Sequence, residues 1–395
     1  MPIKYINELP IEGKRVFIRV DFNVPIKEGK IKDDTRIKAA MPTIEYAISK
    51  NAKVILVSHL GRPKGEGFEE KYSLMPVAER FSELMGDKKV IFTEDCVGDA
   101  VKKLSRDMEP GQVMLLENLR FHAEEEKNDE VFSKQLAALA DVYINDAFGT
   151  AHRAHASTAG MAKFVAVKGA GFLMKKEVES LGNILSNPEK PFVAILGGAK
   201  VSDKIAVIEN LLNLVNTLVI GGGMAFTFLK VKGFTIGKSL FEEEKVHTAN
   251  KIIERAANKG INLVLPVDHV VAAEIAEVAK TSVTDDANVP EGLMGLDIGP
   301  KTITLFTEAL KGAKTIFWNG PLGVFEIEPF STGTIAIAQA VAESGATSVV
   351  GGGDSVTAIN KAGVADKISH ISTGGGASLE FLEGKKLPGL VALEG

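Results

Sequence analysis

Short continuous runs of apolar, β-branched residues recur along the whole chain, and they constrain its fold more than any other feature. In order they are RVFIRV, KVILVS, QVMLLE and DVYIND, then PFVAIL, TLVIGG, NLVLPV, TIFWNG, TSVVGG and KISHIS. A strand with one wet face alternates apolar and polar residues, whereas continuous runs belong to strands buried on both faces. Helical patterns such as VFSKQLAALA and NKIIERAANKG lie between the runs. The alternation predicts two parallel α/β sheets, each covered by helices. A chain of 395 residues is also too long for one ordinary core, which agrees with two domains. The break is expected near 170–190, where MKKEVESLGNILSNPEKP reads as a helix stopped by Pro188 and Pro191 and forms a hinge.

Charge and cysteine usage exclude several classes. A formal charge of −5 and a pI near 5.9 speak against a nucleic-acid binder, which shows a basic footprint. The one cysteine, Cys96, excludes an internal disulfide and fits a reducing, cytoplasmic setting. MPIKYINELP lacks the long apolar core of a signal peptide. Asn210–Leu229 carries no charge and reaches spanning length, but it holds three asparagines and a triple glycine and reads as helix then strand. It is expected in the core rather than in a membrane.

The distribution of arginine is more informative than its number. Of nine arginines, eight lie before residue 155: Arg15, Arg19, Arg36, Arg62, Arg80, Arg106, Arg120 and Arg153. Four of the seven histidines share that part of the chain. Arginine's planar fork suits fixed carboxylate or phosphate groups. Any anion in the second half must be met by lysine and backbone.

Open α/β sheets bind ligands at the carboxyl ends of their strands. In the first half those ends read DFN, SHLGRP, ENLRFH and NDAFGTAHR; in the second they become GGAK, GGGM, NGPLG, GGGD and TGGG. Side-chain donors in one half and bare backbone in the other predict two anionic ligands facing each other across a cleft. In GGAKVSDKI the glycines let amides approach a phosphate, and Lys200 and Lys204, four apart, are expected on one face of a helix that starts there. The Walker A spacing is absent. GGGDSV offers amides, the Ser355 hydroxyl and Asp354, a hard oxygen suited to Mg²⁺. ISTGGGASLEF repeats the glycine run at a helix start, and Glu326 in NGPLGVFE, beyond a strand and a Pro-Gly turn, is either an acceptor for ribose hydroxyls or part of a solvated turn. In DDTRIKAA a cap at Asp33, Asp34 or Thr35 leaves Arg36 in the first helical turn, where a cation opposes the helix dipole unless an anion is near. His152 and His155 lack a third ligand for zinc, and Cys96 shows no catalytic surroundings.

Taken in this order, RVDFNVP, HLGRP, ENLRFH, NDAFGTAHRAHAS, GGAKVSDKI, GLDIGP, WNGPLGVFE, GGGDS and STGGGASLEFLEGKKLPG resemble the phosphoglycerate kinase family over the whole length. The resemblance implies two Rossmann-like lobes joined by a hinge helix: 1–170 with a returning tail 384–395 for phosphoglycerate, 171–190 as hinge, and 191–383 for nucleotide. It implies reversible phosphoryl transfer between 1,3-bisphosphoglycerate and ADP, giving 3-phosphoglycerate and Mg-ATP, in a cytoplasmic monomer. By similarity the substrate residues are Asp21, Phe22, Asn23, Arg36, His59, Leu60, Gly61, Arg62, Arg120 and Arg153. Nucleotide would be held by Lys204, Gly295, Glu326, Gly353, Asp354, Ser355 and Val356, with Asp354 on magnesium. Arg36, Lys200 and Gly375 would act on the transferred group.

Two rival classes can be separated from this one. A non-catalytic nucleotide sensor would keep the glycine loops without needing the arginine set. A nicotinamide-dependent dehydrogenase would open on GxGxxG, which no loop here matches.

Overall fold

The structure, a computed structural model, describes residues 2–86 and 88–394. All ten apolar runs form strands, and all ten lie in two six-stranded sheets whose pairings are parallel throughout. The first sheet comprises β1 (Arg15–Arg19), β2 (Lys53–Val57), β3 (Val90–Phe92), β4 (Val113–Leu115), β5 (Val142–Asn145) and β6 (Val167–Ala170), in the order β3-β4-β2-β1-β5-β6. In the second half β7 (Phe192–Leu196), β8 (Thr217–Ile220) and β9 (Asn262–Val264) precede a small antiparallel sheet of β10 (His269–Ala272), β11 (Ser282–Val283) and β12 (Met294–Ile298). Then come β13 (Thr315–Asn319), β14 (Thr347–Gly351) and β15 (His370–Ile371), and the parallel order is β9-β8-β7-β13-β14-β15.

Both faces of the central strands are buried, which explains the unbroken apolar runs. Val16 and Ile18 of β1 join Val54 and Leu56 of β2 and Ile144 of β5 in one core, closed by Ile37, Ile44 and Ala47 of the helix Thr35–Ser49. Phe17, Ile55 and Tyr143 are equally buried. In the second sheet Val193, Ile195, Ile316, Trp318 and Val350 pack with Phe306, Ile337 and Val341. Each such side chain contributes about 1.5–3 kcal/mol by leaving water.

The chain divides into two compact units: the residues before Ser180 together with those after Lys385, and Ser180–Lys385. The boundary falls inside the helix Phe172–Ser186, which ends before Pro188. The main segment of the first unit runs to Glu179 rather than the expected 170, the second unit begins at Ser180 rather than 191, and the tail rejoins the first unit at Lys386 rather than 384. Near the C-terminus the Gly389 amide donates to the Ala151 carbonyl at 2.8 Å, so the tail packs with the first unit. The uncharged stretch 210–229 is a helix end, strand β8 and the start of the helix Ala225–Val231. Among the described residues no helix is long and apolar enough to cross a membrane.

Candidate active site

In the first unit the four central strands, β4, β2, β1 and β5, each end in a loop that delivers polar groups to one place. After β1 come Asp21, Phe22 and Asn23; after β2, His59 to Arg62; after β4, Arg120; after β5, Arg153 and His155. Arg36 enters from the first turn of Thr35–Ser49, whose N-cap is Asp34, and its Nη1 donates to Asp21 Oδ2 at 2.9 Å. Asn23 Oδ1 accepts the Gly61 amide at 2.9 Å, and Arg120 Nη1 donates to the Gly61 carbonyl at 2.8 Å. Gly61 has a φ of +64°, and a Cβ there would meet the Tyr72 ring at 2.5 Å. Glycine is therefore required for the loop to turn under these two side chains.

Sequence reading missed the buried support beneath this surface. Arg19, the last residue of β1, is fully buried; its Nε donates to Ser157 Oγ at 2.9 Å and its Nη2 lies 3.2 Å from His59 Nδ1. Ser157 Oγ in turn donates to Glu125 Oε1 at 2.5 Å. Burial first, then the charges of Arg19, Arg120 and Arg36, drive the His59 pKa well below its usual value. His59 is thus neutral, with Nδ1 accepting from Arg19 and Nε2–H left as donor. His155 is pushed down to about 4 by burial and by Arg120, Arg19 and Arg153. Two histidines lowered first by burial and then by the same arginines stand in a positive field that an anionic ligand would relieve. Arg62 and Arg153 are exposed at its edge.

Two of the expected substrate residues hold the loops instead of facing solvent. The Phe22 ring is buried 5.9 Å from that of Phe81, and its amide donates to Ser58 Oγ at 2.8 Å. Leu60 is buried and gives both its amide and its carbonyl to the Asn118 side chain, at 3.2 and 2.8 Å.

In the second unit the glycine loops are stitched to one another through backbone. The Gly197 amide donates to the Asn319 carbonyl at 2.9 Å and the Gly198 amide to Pro321 at 2.8 Å. Ser355 Oγ accepts the Gly320 amide at 2.6 Å, and Asn319 Nδ2 donates to Gly351 at 2.8 Å. Gly320 has a φ of +95°, and a Cβ would lie 2.3 Å from the Gly197 carbonyl oxygen. The ends of β7, β13 and β14 are therefore locked into one backbone surface.

The expected helix start in GGAKVSDKI is a correction. The helix is Ile205–Leu211, and 197–204 is an irregular loop. Ser202 gives its amide and hydroxyl to Glu242, and the Lys204 amide closes a turn onto Val201, which holds the loop out of helical geometry. Lys200 and Lys204 consequently share no helix face. Lys200 is exposed, while Lys204 is buried with its Nζ bonded to Asn319 Oδ1. Burial lowers Lys204 to about 8, against the pull of Asp203 and Asp354.

A cavity of about 300 Å³ adjoins this surface, lined by Gly198, Gly222, Gly295, Pro321, Glu326 and Asp354 among others. It brings together Gly295, Glu326 and Asp354 of the expected nucleotide set. Asp354 lies in the first turn of the helix Gly353–Lys361, beside Gly353 and Ser355, where the leading amides have no intrahelical acceptor. The Val356 amide is already used on the Gly352 carbonyl at 3.0 Å. Gly375, with φ +54°, is the N-cap of Gly376–Leu382, and the space where a Cβ would stand is open. An exposed carboxylate at the cavity edge next to free-standing amides fits a magnesium ion shared with phosphates, since Mg²⁺ takes one or two carboxylates plus phosphate oxygens.

Residues 6–385 match the family model described as phosphoglycerate kinase. A phosphoglycerate kinase of Anaeromyxobacter dehalogenans is 59% identical over 100% of both chains, and one of Clostridium tetani is 56% identical over 99% of this chain and 97% of its own. The solved structure of phosphoglycerate kinase from Coxiella burnetii superposes with a TM-score of 0.90 at 47% identity over 99% of both chains. That of Pyrococcus horikoshii OT3 gives 0.84 at 35% identity over 98% of each. The match covers both halves, so it does not support the non-catalytic sensor. The chain belongs to the phosphoglycerate kinase family, kinases whose phosphoryl acceptor is a carboxyl group.

Proposed function

We propose that the chain catalyses reversible, Mg²⁺-dependent phosphoryl transfer between 1,3-bisphosphoglycerate and ADP, giving 3-phosphoglycerate and ATP. The observation that carries this reading is the division of chemistry between the units. One concentrates arginine and neutral histidine at four strand ends; the other offers interlocked backbone, a buried lysine and the exposed carboxylates of Glu326 and Asp354.

Phosphoglycerate binds in the first unit. Arg62, Arg120 and Arg153 neutralise its phosphate and carboxylate, His59 Nε2–H donates to it, and Asp21 and Asn23 accept from its hydroxyl. Nucleotide binds in the second, with Glu326 on the ribose, Gly295 against the base, and Lys204 and the amides of Gly353, Asp354 and Ser355 on phosphate. Asp354 holds the magnesium ion, which supplies charge neutralisation to the nucleotide's phosphates.

The transferring group spreads negative charge over its oxygens, so catalysis consists of positioning and electrostatic stabilisation. Arg36, exposed Lys200 and the amide donors around Gly375 serve that charge. No general base is required, because the acceptor carboxylate is ionised at pH 7. Transfer requires both ligands to be brought into reach of each other and water to be kept out, and bending about the helix Phe172–Ser186 is part of the proposal. One chain carries both sets of residues, so a monomer suffices. The buried single cysteine fits the reducing cytoplasm.

The test is a coupled assay of 3-phosphoglycerate phosphorylation by ATP with magnesium present and with it chelated. Turnover that requires both substrates and the metal supports the reading. A folded, ATP-binding protein without turnover would overturn it.

A further inference from the structure

The neighbouring strands β3 and β4, paired at Phe92 and Leu115, bring together three groups that neither substrate set uses. Asp95 and Cys96 follow β3, and His122 follows β4 by way of the turn Leu119–Phe121. A carboxylate oxygen of Asp95, Cys96 Sγ and a ring nitrogen of His122 all lie within 4.8 Å of one another. Their placement is held from several sides. The Cys96 amide donates to Asp95 Oδ1 at 2.6 Å, Thr93 Oγ1 donates to the Asp95 carbonyl at 2.6 Å, and the His122 ring lies 5.1 Å from that of Phe132. His122 Nε2 sits 2.7 Å from Asp95 Oδ1.

We propose that Asp95, Cys96 and His122 form a binding site for Zn²⁺. Thiolate, imidazole and carboxylate are the donors zinc takes in tetrahedral sites, with three protein ligands leaving a fourth position for water. Magnesium and calcium prefer oxygen donors alone, so this set discriminates against the ion that the nucleotide requires. Zinc–ligand bonds of about 2.0–2.3 Å place donor atoms between 3 and 4 Å apart, inside the spacing found here. A surface histidine–aspartate pair needs no thiol, yet Cys96, the chain's single cysteine, is seated against both partners while itself buried. On binding, the thiol proton leaves to solvent, the His122–Asp95 contact opens, and all three groups turn to the ion. The bound ion would tie the loop after β3 to the turn that carries Arg120.

Cobalt(II) reports such a site directly, and the single cysteine makes the signal unambiguous. Full-length protein stripped with a chelator is titrated with Co²⁺ and followed by absorption. The expected result is a thiolate-to-cobalt charge-transfer band that saturates at one equivalent, is bleached by Zn²⁺ and is unmoved by a large excess of Mg²⁺. Cys96→Ser should lose the band, and Asp95→Asn and His122→Gln, checked for fold by circular dichroism, should bind at least about tenfold more weakly. Absence of the band in the wild type at saturating Co²⁺ would overturn the site. So would unchanged affinity in a folded His122→Gln variant.

Discussion

Arg36 Nη1 donates to Asp21 Oδ2 at 2.9 Å, which ties the first turn of the helix Thr35–Ser49 to the end of strand β1. Asp21 is mostly buried and Arg36 partly exposed, and the pair contributes little to stability, within about 1 kcal/mol. Its consequence is directional, since one edge of the guanidinium is fixed and the other is left to a ligand. Asp21→Ala should therefore leave the melting temperature nearly unchanged while raising KM for 3-phosphoglycerate by about tenfold, the loss of one charge-assisted hydrogen bond. Steady-state kinetics at saturating ATP checks this. An unchanged KM would show that the pair positions nothing.

Lys204 gives a pH dependence of fixed sign. Its pKa is lowered to about 8 by burial, so the free protein carries this charge at pH 7 and loses it as pH rises through 8. Affinity for ADP should weaken by roughly tenfold between pH 7 and pH 9, because only the protonated lysine attracts phosphate. Lys204→Met should bind more weakly at pH 7 and show a flat profile. Titration calorimetry at the two pH values decides it.

Asp146, at the end of β5, accepts the Met174 amide at 3.0 Å near the start of the helix Phe172–Ser186, while its Oδ2 is buried without a partner. Burial raises its pKa to about 7. The unfolded chain ionises this group near pH 4 and the folded one near 7, so between those values the folded state binds the extra proton. Stability from this group is full below pH 4 and falls as pH rises to 7. Asp146→Asn should remove that slope, gaining stability over the wild type at pH 7 relative to pH 5. Urea unfolding at both values measures the difference.

Much of this architecture was legible because doubly buried strands write themselves as unbroken apolar runs. The strands that escaped lack that burial or that unbroken run: β3 is half-buried along its length, β6 contains Lys168 and Gly169, β11 is two exposed residues, and β10 and β12, although largely buried, are antiparallel and carry His269 or Gly295 and Asp297 within them. In the site, Arg36 could be singled out because a cation in a first helical turn is locally unfavourable. Arg19, Ser157 and Asn319 gave no local signal, since their importance lies in partners distant along the chain. The helix face expected to carry Lys200 and Lys204 together is absent for the same reason. Their helix start is set by Glu242, forty residues away.

Gly320→Ala tests the backbone surface of the second unit. The substitution forces a side chain into a positive φ and against the Gly197 carbonyl, so the loops after β7 and β13 must separate. Stability should fall by more than about 1 kcal/mol and ADP binding should weaken, with phosphoglycerate binding spared. Denaturant melts and separate titrations of the two ligands resolve these effects.

The most direct test of the account compares wild type and Arg36→Ala for Mg²⁺-dependent phosphorylation of 3-phosphoglycerate by ATP, alongside ATP affinity. Turnover should fall by about 10²-fold or more, the scale of removing a donor to the developing charge, while ATP binds as before. Turnover that survives the substitution, or ATP binding that fails with it, would contradict the assignment of phosphoglycerate to the arginine-rich unit and nucleotide to the other.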